Sequence, residues 1–413
     1  MSERIVIIGA GIVGVSTGIW LRRLGADVTL VDRGLPGQAT SFGNAGVLAA
    51  CSMVPVTAPG LVAKSPKLVL DPHFPLFLRW SYLPKLLPWL RRYLSHANDA
   101  DTRRIARGLT PITSDTVEQH KALTKGTDAA HWITDCDYHF AYADRAAFEA
   151  DRYTWALRRD AGFVPEVHEG GAVREIEPNL SENVQLLATV KAHGMIRNPG
   201  GYVAHLAEVF QKLGGIIRQT EVRDFEMTAG RITAVITKSG TLSCDKAVIA
   251  TGVWSKPLMK KLGLNVPLEA ERGYHVLFKG ATNGPVAPTM VAAGKFVATP
   301  MEMGLRCAGV VEFGGLKAGP SKAPLALLRK QVASAYPQLE YAGEEEWLGH
   351  RPAPSDSLPL IGEVGTTGVF TAFGHHHIGL TGGPKTGRLL AGMMTERPPN
   401  IDMLTYSPNR FTT

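Results

Sequence analysis

A chain of 413 residues, 45% hydrophobic and 20% charged, is globular in composition and longer than one hydrophobic core ordinarily serves, so two domains are expected. Its formal charge of +7, with no lysine- or arginine-rich block, fits an anionic ligand or surface and gives little reason to expect nucleic acid. Cys51, Cys136, Cys244 and Cys307 are far apart and lack CxxC spacing, which argues against a disulfide framework or zinc site and for a reducing compartment.

Ile5-Val-Ile-Ile8 is a continuous apolar run, as a buried parallel strand requires. The strand begins too early to leave room for a charged leader, and no run of eighteen apolar residues occurs. A cytoplasmic protein without a spanning helix is expected. Gly9-Ala-Gly-Ile-Val-Gly14 follows, then a helical stretch from Val15 to Leu24 stopped by Gly25, then a second strand, Val28 to Val31, ending at Asp32. Together these form one βαβ unit.

From Pro55 to Ser95 the chain is rich in proline, with Phe74, Phe77, Trp80, Tyr82, Trp89 and Tyr93 interleaved with Lys85, Arg91 and Arg92. Short helices broken by prolines are expected there, then one helix over 101–125. Residues 131–197 read as strand-like and loop-like pieces. Tyr202 to Leu213 reads as a helix, Ile216 to Arg218 as a strand, and the next three alternating pieces as a β-meander. Lys246 to Ala250 is another buried strand, and a helix is expected near 322–335.

Gly9, Gly11 and Gly14 form the G-x-G-x-x-G fingerprint in its required context. The first permits a tight turn, the second lets backbone approach a pyrophosphate, and the third lets helix and strand pack closely, with the helix N-terminus facing the phosphates. Asp32, 23 residues after Gly9, is placed to accept hydrogen bonds from a ribose. Arg33 reads equally as a partner for a 2′-phosphate or as a surface arginine. FAD is favoured over a nicotinamide because no further βα units follow Asp32; a small-residue loop, Gln38 to Gly46, follows instead, suited to wrapping a cofactor.

Five segments in order carry a resemblance. They are Gly9–Gly14 with Asp32; Ala39-Thr-Ser-Phe-Gly-Asn-Ala-Gly46; Ala250-Thr-Gly-Val-Trp-Ser255; Arg351-Pro-Ala-Pro-Ser-Asp356 with Pro359-Leu-Ile-Gly362; and Phe373-Gly-His-His-His-Ile-Gly-Leu-Thr381. The chain resembles the D-amino-acid oxidase superfamily of FAD-dependent amine oxidoreductases over essentially its whole length. Ser41-Phe-Gly-Asn-Ala-Gly46 and Glu271-Arg-Gly-Tyr-His275 look most like its bacterial D-amino acid dehydrogenase branch, which includes enzymes for D-proline-type substrates.

The resemblance implies an α/β fold: a Rossmann-type FAD-binding domain (1–50, 198–255, 345–413) and a discontinuous α+β substrate domain built on an antiparallel sheet (51–197, 256–344). It implies non-covalent FAD beside Thr40, Ser41, Asn44, Ala45 and Gly46, with Val222 at the adenine and Thr251, Gly252 and Trp254 near the pyrophosphate. Gly374, His375, Gly379, Leu380 and Thr381 would bring amides and a helix N-terminus to the flavin pyrimidine edge. Arg351 would hold a substrate carboxylate, its planar guanidinium matching that group, although an arginine in a structural ion pair is the plainer alternative. Tyr274, His275 and His377 would line the same pocket, with either histidine as a candidate proton acceptor. Consecutive histidines on one strand cannot all face one metal, so no metal site is expected at 375–377.

The implied reaction passes a hydride from the carbon beside an amine to flavin N5, leaving an imino acid that hydrolyses to a 2-oxo acid. Electrons would go on to a quinone or respiratory acceptor. The aromatic, cationic stretch from Phe74 to Tyr93 is compatible with peripheral contact with an anionic membrane or with packing into the substrate domain. Rival readings are a glycine- or sarcosine-type oxidase using oxygen, an FAD-binding subunit of a larger dehydrogenase, and a nicotinamide enzyme.

Overall fold

The computed structural model describes residues 3–61, 75–397 and 399–412. Among these the strands are β1 Arg4–Ile8, β2 Asp27–Asp32, β3 Val47–Leu48, β4 Leu76–Leu78, β5 Ile133–Tyr142, β6 Glu166–Glu169, β7 Leu186–Ile196, β8 Ile216–Gln219, β9 Val222–Thr228 and β10 Arg231–Thr237. They continue with β11 Gly240–Ser243, β12 Lys246–Ile249, β13 Leu268–Lys279, β14 Thr289–Val291, β15 Phe296–Met301, β16 Gly304–Phe313, β17 Gly343–Pro354, β18 Leu360–Glu363 and β19 Val369–Phe373. The α-helices are α1 Ile12–Arg23, α2 Leu83–Ser95, α3 Asp99–Thr113, α4 Thr116–Thr124, α5 Arg145–Ala150, α6 Arg152–Asp160, α7 Gly171–Ile176, α8 Pro199–Lys212, α9 Ser255–Lys261, α10 Lys322–Ala335 and α11 Gly379–Met394.

One sheet runs β18-β19-β12-β1-β2-β8. Its centre is parallel, with Ile5 opposite Val28 on one side and Lys246 on the other. Burial of Ile5 through Ile8 explains why β1 reads as an unbroken apolar run. Helices α1, α8 and α11 pack over one face through Val15, Ile19, Leu206, Phe210 and Leu390. The expected meander is the separate β11-β10-β9 sheet. The second large sheet follows the path β17-β13-β16-β15-β14-β5-β7-β3. It is antiparallel except where β14 lies parallel to β5 and β4 parallel to β16. Helix α10 covers one face of it, its Leu325, Leu328 and Val332 clustering with Tyr274, Val276 and Phe278.

Several expectations need correction. Residues 101–125 form α3 and α4, separated at Ser114 and Asp115, not one helix. Residues 131–197 contain α5, α6 and α7 between their strands, helices too short to show a clear period. Helix α2 runs through Pro88 unbroken, and Pro84 stands in its first turn, where a missing N–H is tolerated. Strand β17 (Gly343–Pro354) pairs along its whole length with β13 in the larger sheet. The aromatic stretch divides: Trp89 and Tyr93 are buried, whereas Trp80 and Leu87 are exposed. Pro66, Pro72 and Phe74 lie outside the described residues. Among the described residues no helix is long and apolar enough to cross a membrane.

His120 on α4 ties the helical layer together. A carbonyl only accepts, so the neutral ring donates Nε2–H to Leu380 O at 2.9 Å and accepts the Tyr202 hydroxyl proton on Nδ1 at 2.9 Å. Burial pushes its pKa down to about 4. The unfolded chain therefore binds the proton first, and the stabilisation present above the ordinary histidine pKa is lost as pH falls toward the folded value. At pH 5 that loss amounts to about 2 kcal/mol. In thermal denaturation, the stability gap between the protein and His120→Asn should narrow by that amount between pH 7 and pH 5; a constant gap would refute the assignment.

Candidate active site

The first turn is shaped by what a side chain would strike. Gly9 has φ +112°, and a Cβ there would stand 2.5 Å from the Ala250 carbonyl oxygen. A Cβ on Gly14 would stand 1.9 Å from the Gly9 oxygen, so the third glycine serves helix–strand packing and does not border the cavity. Gly11 caps α1, and the Ser41 hydroxyl accepts from Ile12 N at 3.1 Å, joining the small-residue loop to the helix N-terminus. Asp32 is oriented by Ala10 N (2.7 Å) and Gly34 N (2.9 Å). The Arg33 guanidinium lies 4.4 Å from the Trp254 ring centre.

These groups border a cavity of about 800 Å³ whose wall takes residues from both large sheets. Of the residues singled out from sequence, it is bordered by Gly9, Gly11, Asp32, Arg33, Thr40, Ser41, Asn44, Ala45, Val222, Thr251, Gly252, Trp254, Tyr274, Arg351, Gly374, His375, His377, Gly379, Leu380 and Thr381. Gly46 stays off the wall; with φ +76° it turns the chain into β3.

His275 is also off the wall, contrary to expectation. Consecutive strand residues face opposite ways, so Tyr274 and His275 cannot share one pocket through their side chains. The His275 ring stacks on Trp347, 5.2 Å between centres, and its Nδ1–H donates to the Gly43 carbonyl at 3.1 Å. Burial, with the Arg306 charge adding to it, pushes its pKa down to about 3. Tyr274 donates its hydroxyl to Glu312 at 2.7 Å and accepts from Ser321 N at 3.0 Å, so that hydroxyl is already committed.

Arg351 sits on β17 opposite Glu271 of β13. Its guanidinium lies directly over Gly273, where a Cβ would come within 2.7 Å of three of its atoms. Among the described residues it makes no hydrogen bond and no ion pair within 4.0 Å, so the structural ion-pair alternative finds no partner. Burial lowers its pKa while the Glu271 charge works against that. Burial opposes ionisation of Glu271 in turn, but His376, 3.5 Å away, and Arg351 together hold its pKa below the ordinary carboxylate value.

The three histidines lie in the turn between β19 and α11 rather than on a strand, and each has its own setting. His375 shares a 2.9 Å hydrogen bond with Thr386, and burial pushes its pKa to about 4. His376 adopts φ +47° and faces Glu271. His377 is the exposed one, but what it meets is the cavity. Desolvation by the surrounding walls, then the Arg351 and His376 charges, push its pKa to about 4, so it is a neutral acceptor near pH 7. The first turn of α11, Gly379 to Thr381, reaches the same wall.

Some wall and support residues escaped the sequence reading. Trp347 fills the space above Gly43 and Gly349, where a Cβ would fall 2.0 and 1.8 Å from the indole. Arg306 clamps the loop by donating to the Phe42 and Asn44 carbonyls at 2.8 Å. Glu271 opens the stretch Glu271-Arg-Gly-Tyr-His275, but its role needs the β13–β17 register. Arg158, on α6, carried no local signal at all.

The family model for FAD dependent oxidoreductases matches residues 4–393. The chain belongs to the FAD-dependent oxidoreductase family. It is 37% identical to a protein named D-amino-acid oxidase from Bradyrhizobium diazoefficiens, covering 99% of each chain. It is 27% identical to a D-amino acid dehydrogenase from Allorhizobium ampelinum, covering 99% of this chain and 98% of that one. Among solved structures, glycine oxidase from Geobacillus kaustophilus matches with a TM-score of 0.77 at 20% identity, over 99% of each chain. The family's cofactor fits the donor set: a turn whose Gly9 and Gly11 bring no Cβ to the cavity, two helix N-termini and an oriented carboxylate on one cavity.

Gly14→Ala should therefore yield protein with little or no bound flavin, because the turn must open to admit the methyl group. Flavin absorbance per folded chain measures this, and full occupancy would contradict it.

Proposed function

We propose that this flavoenzyme oxidises a D-amino acid to an imino acid, with electrons passed to a quinone or respiratory acceptor. The observation that carries the reading is Arg351: a guanidinium on the cavity wall with no hydrogen-bonding partner among the described residues. A carboxylate supplies the two parallel acceptors that this planar group lacks. We assign the nucleotide-facing half to 1–50, 198–255 and 345–413, and the substrate-facing half to 51–197 and 256–344.

In this reading FAD would lie along Gly9, Gly11, Asp32, Thr40, Ser41, Asn44, Ala45, Val222, Thr251 and Gly252, and against the first turn of α11. Bound there, it would supply two-electron acceptance. The chain's own residues do the positioning. Arg351 fixes the carboxylate, Gly273 leaves room for that grip, and the Glu271–His376 pair holds the opposing charge behind it. His377, neutral near pH 7, can accept a hydrogen bond from the substrate amine once the ammonium has given up its proton to water and the lone pair can assist. The imino acid product is hydrolysed by water to a 2-oxo acid, or stays cyclic if the amine is secondary.

A second reading, direct use of oxygen, is favoured by the name of the 37%-identical relative. Peroxide formed in step with D-alanine or D-proline consumption would support it, and turnover only with an artificial quinone would support the dehydrogenase. For the membrane side, exposed Trp80 and Leu87 beside Lys85, Arg91 and Arg92 form an apolar and cationic face. Sedimentation with anionic vesicles, reversed by salt, is the expected result.

Removing a charged hydrogen-bonding partner of a bound ion costs at least about 2 kcal/mol. Arg351→Met should thus raise KM for D-alanine at least about thirtyfold while flavin stays bound. Gly273→Ala should shift KM in the same direction by displacing the guanidinium. An unchanged KM in both variants would remove Arg351 from substrate binding.

A further inference from the structure

The cavity holds a second guanidinium without a carboxylate partner among the described residues. Arg158 of α6 borders the cavity, and its Nε and one terminal nitrogen are buried with no hydrogen-bond acceptor. It makes no ion pair among the described residues. Its carbon Cζ lies 4.5 Å from the Phe140 ring centre and 4.6 Å from that of Trp155, so two aromatic faces orient it. Its other neighbours are neutral: Tyr138, whose pKa is raised by burial, and Cys51, whose thiol burial pushes up to about 11 although the Arg158 charge and its hydrogen bond to that side chain work against the rise. The nearby acid Asp151 is engaged by the Tyr142 hydroxyl at 2.9 Å.

The wall's other charges sharpen the point. Among the described residues its carboxylates are Asp32 and Glu221, and both stand at the nucleotide end, where Thr220 N donates to Asp32 O at 2.8 Å. The end lined by β5, β14 and β15 carries Phe140, Met290 and Val297 with Arg158 and the exposed Lys295 and, among the described residues, no acid. An apolar floor leading to an unpaired guanidinium suits methylenes that end in an anion.

We propose that Arg158 is a specificity-determining residue that binds a second carboxylate, carried on the substrate's side chain, so that the preferred substrates are acidic D-amino acids. This rests on the amino acid reading of Arg351. Arg351 lies over Gly273 of β13 and Arg158 over Phe140 of β5, strands set apart in the order of the large sheet, and both border the one cavity. The substrate lies between two cations, its α-carboxylate on one and its terminal carboxylate on the other. Chain length then becomes the selective variable.

The test compares kcat/KM for D-aspartate, D-glutamate and D-2-aminoadipate with D-asparagine and D-glutamine, in the intact flavoprotein and in Arg158→Met and Arg158→Lys. One acid should exceed its amide or neutral counterpart at least about tenfold. That ratio should fall to near one in Arg158→Met and be partly kept in Arg158→Lys; as a ratio, it does not depend on how much of the variant folds. Acids no better than amides in the unaltered enzyme, or a ratio that survives Arg158→Met, would overturn the proposal. If neutral D-amino acids reduce the flavin and acids do not, this subsite alone fails. If no amino acid reduces it, the parent reading fails; perturbation of the flavin spectrum by glutarate but not by butyrate would then still report the second anion site, and equal perturbation would remove it.

Discussion

A guanidinium held inside a protein without an acceptor loses its water and gains nothing in return, which makes it one of the less stable arrangements a fold can keep. Arg351, half-buried on the cavity wall, has no protein acceptor among the described residues, and its surroundings keep it so. The pairing of β13 with β17 fixes its height, the bare backbone of Gly273 gives it a bed, and Glu271 supplies opposing charge at a distance too long for an ion pair. Glu271 is itself balanced by His376, whose strained backbone follows from the turn that brings α11 to the cavity. The result is a cation whose hydrogen-bonding directions remain open toward the cavity.

The rest of the molecule can be understood as holding that cation opposite a dinucleotide-shaped cradle. The parallel sheet ends at Ile8, Val31 and Ala250, which present backbone to the cavity, and the close approach of Gly9 to Ala250 leaves no space for side chains between them. The larger sheet provides the facing wall. The loop from Thr40 to Asn44 joins the two: Ser41 engages α1, Thr40 donates to the His350 carbonyl at 3.1 Å, and Arg306 grips the loop from β16. That loop is rich in small residues because Trp347 and the α1 terminus both press against it.

The nucleotide half was legible in the sequence because its chemistry is local. A glycine turn, the strand before it and the acid after it fall within one short stretch, and each has a stereochemical reason to be what it is. Strands β8 and β12, buried or bounded by glycine, were legible for the same reason. The substrate half was not. Tyr274 and His275 looked like a pair because they are adjacent, yet the pleat sends them to opposite faces, one to Glu312 and the other to Gly43. The three histidines suggested a strand because nothing local announces a turn with φ +47° at His376. Arg158 lies on a short helix among other arginines, and only tertiary contact with Phe140 and Trp155 distinguishes it. Pairing register and aromatic enclosure are long-range facts, and composition does not encode them.

The most direct test of an open guanidinium over Gly273 uses no turnover at all. The purified flavoprotein would be titrated with propionate and, separately, with the uncharged and nearly isosteric propionamide, following the flavin absorbance bands. Saturable perturbation by the acid, at concentrations well below any effect of the amide and absent in Arg351→Met, is the expected result. Equal responses to acid and amide, or a response to propionate that persists without the guanidinium, would contradict the role given to Arg351.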